Sequence, residues 1–159
     1  MVLALCDASI GTAACANVGT PSSLPIKLPV NLSVIDQFRA PSCKWCSGNR
    51  GIEYRTEPGS IVTAAAGGIA SFVGSVAGTN YVVIKTDGTL KTSDNLLVTH
   101  GRLQSVSVKS GAVIAVGQTI GVAGESLYIG VRVNGQYTDP QQCAGLGSVG
   151  KPRAVLVAG

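Results

Sequence analysis

At 159 residues and a formal net charge of +4, the chain is long enough to bury one core, and its basic residues are too scattered to form a nucleic-acid footprint. It is 45% apolar but only 4% aromatic, so the core must be assembled from Val, Ile, Leu and Ala. No run approaches the ~18 uninterrupted apolar residues of a membrane-spanning helix, so no transmembrane span is expected. Glycines, 21 in all, separate short β-branched runs, and helical periodicity is absent. That pattern predicts an all-β fold, an antiparallel sandwich or barrel-sandwich hybrid with helix nearly absent.

Residues 1–37 are Ala-, Ser- and Pro-rich and are expected to form an extended arm. Pro21, Pro25 and Pro29 remove ladder donors there. Ile26-Lys27-Leu28 and Leu32-Ser33-Val34-Ile35 are candidate edge strands within it, and Asn31-Leu32-Ser33 matches a glycosylation sequon. Ala14-Cys15-Ala16 resembles a small-residue cleavage site, but Met1 to Asp7 lacks a basic segment and Asp7 interrupts its apolar run, so the whole reads as a poor signal peptide. Five cysteines (Cys6, Cys15, Cys43, Cys46, Cys143) suit an exported protein with two disulfides and a spare thiol. Cys43-Lys44-Trp45-Cys46 is alternatively a metal or redox pair.

Residues 38–140 form the expected domain. Strands are predicted at Ser60–Ala64, Ile69–Val76 and Tyr81–Lys85, with turns at Gly67-Gly68 and Gly78-Thr79-Asn80. Asp87-Gly88 and Asn134-Gly135 are dipeptides suited to primed hairpin turns. Leu90–Thr92 and Leu96–Thr99 are read as the strand returning from the first of these. Glycines in Gly111 to Gly121 suggest two close turns, and Ser126–Val133 reads as a strand closed by Tyr137. Asp139-Pro140 ends the domain. The tail, 141–159, carries Cys143 and the run Ala154-Val155-Leu156-Val157, a candidate edge strand or a segment for strand addition to a partner.

Asn49-Arg50-Gly51-Ile52-Glu53, the glycine-bounded segments that follow, Gly117-Gln118-Thr119-Ile120-Gly121 and Ser126-Leu127-Tyr128 occur in an order that resembles the lysostaphin/LytM-type zinc metallopeptidases, peptidoglycan endopeptidases related to β-lytic protease. That family reads His-Arg-Gly-Ile-Asp and His-Leu-His at the first and last of these segments. The resemblance covers about Phe38 to Pro140 and implies a β-sandwich with a groove. It also implies where zinc would sit, because catalytic zinc takes three protein ligands and keeps one open position. Carried over, the ligand positions fall on Asn49, Glu53 and Tyr128, and the catalytic positions on Ser126 and Arg102. His100, the only histidine, falls on a neighbouring position, or on the catalytic one after a small register shift. Gly51 is read as the bend that brings Asn49 and Glu53 together.

An amide, a hydroxyl and a phenol in place of imidazoles leave one dependable carboxylate, so neither bound zinc nor another cofactor is expected. Arg50, Tyr54, Tyr81 and His100 are candidates for a binding groove around the altered positions. The implied role is an inactive homologue outside the cell or in its envelope, binding peptidoglycan or an envelope protein. The alternatives are an active endopeptidase with substituted ligands, a zinc site rebuilt from Cys43, Cys46, Glu53 and His100, and a biotinyl/lipoyl-like carrier. The carrier needs a lysine at its turn tip, whereas Lys85 and Lys91 flank Asp87-Gly88.

Overall fold

The computed structural model describes residues 26–86 and 95–144. Among these residues nine strands run in chain order: β1 (Val34–Asp36), β2 (Gly51–Arg55), β3 (Ile61–Thr63), β4 (Gly68–Val76), β5 (Thr79–Lys85), β6 (Leu96–Val106), β7 (Val113–Ile114), β8 (Thr119–Val133) and β9 (Gln136–Thr138). One short helix, α1 (Pro140–Cys143), follows. All pairings are antiparallel, in the order β1-β2-β8-β6-β5-β4-β7, with β3 and β9 also on β8. The fold is therefore the all-β, sandwich-type class that the glycine-punctuated β-branched runs predict.

The core is aliphatic, as the scarcity of aromatics requires. Across the sheet, Ile52 pairs with Ile129, Ile129 with His100 and His100 with Val82, and all four side chains are buried. Ile84, Val98, Val131 and Ile120 extend the same layer together with Ala64, Ala65 and Ala66. Residues directly opposite one another across a ladder share a face. The neighbouring register row, Glu53–Tyr128–Gly101–Tyr81, therefore lies on the other face, and that face carries the candidate site.

Several boundaries differ from the expectation. Ala77 and Gly78, at φ 50° and 80°, form the β4–β5 turn, so Thr79 and Asn80 already belong to the strand. Gly68 opens β4 rather than completing a turn. β6 continues past Thr99 to Val106, and β8 begins at Thr119, seven residues before the expected Ser126. Gly121 looks like a turn residue but serves a close approach: a Cβ there would lie 2.2 Å from the Ser105 carbonyl oxygen. Asn134-Gly135 does make the primed turn, at φ 50° and 84°. Asp139 caps α1 by accepting from the Gln141 N–H at 2.9 Å, so a helical turn begins where the domain was expected to stop. Ile26 and Leu28 are buried against the core without forming a strand, and Val34–Asp36 is the edge strand. Cys43 and Cys46 are joined by a disulfide, and Cys143 is also disulfide-bonded. The Asp87-Gly88 turn, Leu90–Thr92, Lys91, most of the N-terminal arm and the Ala154–Val157 run lie outside the described residues.

Candidate functional site

Glu53 of β2 and Tyr128 of β8 stand directly opposite one another, and Gly101 of β6 is Tyr128's partner on the other side. Arg102 follows at a break in register between Gly101 and Leu103. Strict alternation from the buried His100 would send its side chain into the core. The bulge and a left-handed φ of 62° turn it out instead, and it donates to the Glu53 carboxylate at 2.7 Å. Thr79, Tyr81, Thr99 and Tyr137 complete a cleft of about 380 Å³ around this pair.

The Tyr128 ring lies over a floor of glycines. A Cβ on Gly51 would come within 2.6 Å of that ring and 2.4 Å of the Ile129 carbonyl oxygen. A Cβ on Gly130 would meet the Tyr128 hydroxyl at 2.6 Å, and one on Gly101 would meet the Tyr81 ring at 2.5 Å. Gly51 is thus needed for close packing inside an extended strand, not for the bend read from the sequence. Burial pushes the Tyr128 phenol well above the usual tyrosine range, reinforced by the neighbouring Tyr137 and Tyr81. The ring stays neutral under ordinary conditions.

The remaining sequence candidates scatter around this cleft. Asn49 is buried two positions before Gly51, and its Oδ1 accepts from the Gly51 N–H at 3.3 Å. It does not line the cleft but sits beside Asp36, whose carboxyl is held below the ordinary range chiefly by a hydrogen bond from Arg39. Ser126 is half-buried opposite Arg55, two positions along from Tyr128 and also outside the cleft lining. Arg50 points to a different cavity, where it donates to the Lys44 carbonyl at 2.9 Å.

Two groove candidates prove to be core residues. Tyr54 is 2% exposed and pairs with Leu127 on the buried face, and its phenol is pushed up to about 12 by burial and by Asp139. His100 is fully buried, and its Nε2 accepts from the Ala65 N–H at 2.9 Å. Burial lowers its pKa to about 4, only weakly opposed by a backbone group of Val82. The rebuilt zinc site from Cys43, Cys46, Glu53 and His100 fails on the same facts. Its thiols are joined to each other, its carboxylate is paired with Arg102 and its imidazole is on the core side. Tyr137, which also lines the cleft, is marked by the sequence only as a hairpin end.

The model for peptidase family M23 matches residues 47–140, more than half of the chain and the whole of the cleft. The chain belongs to peptidase family M23. Curated relatives of this M23 domain include the uncharacterized protein Rv2891 of Mycobacterium tuberculosis, 33% identical over 117 residues. That alignment covers 72% of this chain and 46% of the relative, so the chain spans about half the length of the curated proteins it matches. Among solved structures, the catalytic domain of the antimicrobial peptidase lysostaphin from Staphylococcus simulans superposes with a TM-score of 0.60 at 17% identity, covering 70% of this chain and 91% of that one. The SpoIIIAH–SpoIIQ complex gives a TM-score of 0.60 at 18% identity, with 76% and 97% covered. At these identities the likeness is one of fold.

The zinc that such a fold would hold in an active peptidase does not fit the residues present in this M23 domain. Asn49 offers a neutral amide already engaged by a backbone N–H. Glu53 is held by a guanidinium, and Tyr128 is a neutral phenol whose ring fills the space above Gly51 and Gly130. Among the described residues no three His, Cys, Asp or Glu side chains gather closely enough to hold a metal ion. What the cleft offers is aromatic surface, two hydroxyl-bearing threonines and one ion pair.

Proposed function

We propose that this M23 domain is a non-catalytic binding or structural module, outside the cell or in its envelope, that holds peptidoglycan or a partner protein. The observation that carries the reading is the Glu53–Arg102 ion pair beside a neutral, packed Tyr128, at the positions where the resemblance places metal ligands. Hydrolysis through zinc needs a cation that polarises the carbonyl and lowers the pKa of its water to ~7, and this donor set cannot retain one. The rings of Tyr81, Tyr128 and Tyr137, with Thr79 and Thr99, instead suit stacking on and hydrogen bonding to a polar ligand. The occurrence of this fold in the SpoIIIAH–SpoIIQ complex is consistent with a protein partner.

The purified protein, dialysed against zinc, is expected to hold no stoichiometric metal, to release no muropeptides from cell walls, and to be retained on walls or on an envelope partner. Tight one-to-one zinc together with chelator-sensitive muropeptide release would show an active peptidase with substituted ligands.

A further inference from the structure

Beside the tyrosine cleft, and sharing Tyr137 with it, lies a larger cavity of about 870 Å³. Two arginines from separate parts of the fold converge on the same ring. The Arg50 guanidinium lies 5.6 Å and that of Arg132 5.1 Å from the Tyr137 centroid. Among the described residues neither takes part in an ion pair, and no Asp or Glu lines the cavity. Lys44 adds a third cation, 4.9 Å above the Trp45 ring. The Arg132 Nε is buried with no hydrogen-bond partner, a costly arrangement for a charged donor. The lining also includes apolar Ala40, Pro41 and a largely exposed Trp45, on a segment that the Cys43–Cys46 disulfide ties down.

Like charges gathered on one ring, with no acidic partner among the described residues, form half of a recognition site. The geometry points to a site for a carboxylate carried on a short apolar stem, its oxygens taken by Arg132 and Arg50 and its stem laid against Trp45 and Tyr137. Arg50 already gives one N–H to the Lys44 carbonyl, and guanidinium edges match the planar carboxylate. The site stands independently of what occupies the tyrosine cleft.

Trp45 is the only tryptophan, so its fluorescence reports this cavity directly. The whole protein would be titrated with N-acetylglycine and with glucuronate, which separate a peptide C-terminus from a sugar acid as the source. N-acetylglycinamide, glucose and inorganic phosphate are the comparisons. A saturable change with one or both carboxylates, a shift of the Arg132 Nε–H resonance, and little response to the uncharged analogues are expected. Arg50→Gln and Arg132→Gln should each weaken binding about tenfold or more, the scale of one charge-assisted hydrogen bond. The Arg132 resonance and Arg50→Gln keep the test valid if Arg132→Gln fails to fold. Equal binding of the amide, unchanged affinity in a folded Arg50→Gln variant, or tighter binding of phosphate than of either carboxylate would overturn the assignment.

Discussion

Arg102 is held at φ 62°, where a side-chain-bearing residue is strained, and it is kept there by a bulge and by Glu53. The left-handed region costs a non-glycine residue roughly 1–2 kcal/mol, and a half-exposed ion pair returns about 0.2–1 kcal/mol. Arg102→Ala loses the pair and keeps the strain, whereas Arg102→Gly loses the pair and relieves it. Denaturant unfolding should therefore rank Arg102→Gly above Arg102→Ala by about 1 kcal/mol. The reverse order would mean the bulge relaxes freely. His100 makes a second residue-scale case, because burial lowers its pKa to about 4 against about 6.5 when unfolded. Between these values the unfolded chain binds the proton that the folded chain refuses. Stability is then full above about pH 6.5 and falls toward pH 4, by on the order of 3 kcal/mol. In His100→Gln this part of the pH dependence should vanish, while that of the carboxylates persists. Parallel stability–pH curves for the two proteins would refute it. Neither behaviour was legible from the sequence. Alternation from Glu53 could have assigned Tyr54 inward, but His100 and Arg102 share one parity, and only the bulge separates them.

At the scale of strands, β2 and β8 meet across paired glycines, Gly51 opposite Gly130, with Tyr128 laid over both. The two glycines differ in what a methyl would strike. At Gly130 the nearest obstacle is the movable end of the Tyr128 side chain, at 2.6 Å, and at Gly51 it is the Ile129 backbone carbonyl, at 2.4 Å. Gly130→Ala should cost about 1–3 kcal/mol as an overpacking change, and much of that loss should disappear when Tyr128→Ser is made with it. Gly51→Ala should not be rescued by Tyr128→Ser. A double-mutant cycle reads this directly, and additive losses at Gly130 would show that the ring does not cause the cost. The glycine-bounded strands β4 and β5 and the Asn134-Gly135 hairpin were readable from the sequence, because turn dipeptides and β-branched runs report local geometry. The part of β8 before Ser126 carries no such local signal. Its Gly121 serves a long-range backbone contact that nothing local reveals.

For the whole molecule, β8 is the hub, pairing with β2, β3, β6 and β9, while β6 and β5 carry the ladder on toward β4. The family text fixed which distant segments meet, and that is why the Glu53–Tyr128 juxtaposition could be expected from residues far apart in the chain. The cationic cavity had no such text, since Arg50, Arg132 and Tyr137 come from three places and only the fold assembles them. Because β8 and β6 are paired on both sides and bury Ile129, Val131, Val98 and His100, their central amides cannot open without dismantling the sheet. The edges are different. β1 is a three-residue strand with exposed Val34 and Ile35, and β7 has only two residues with Val113 exposed. Local openings at such edges cost little, whereas core strands exchange only through global unfolding. Native-state hydrogen exchange should therefore show the amides of Val82, Val98, Ile129 and Val131 protected to the full unfolding free energy and responding together to denaturant. Those of β1 and β7 should exchange far sooner and nearly independently of denaturant. If β8 amides exchanged as fast as those of β1, the hub would be a geometric feature with no energetic weight, and the cleft built on it would not be held rigid.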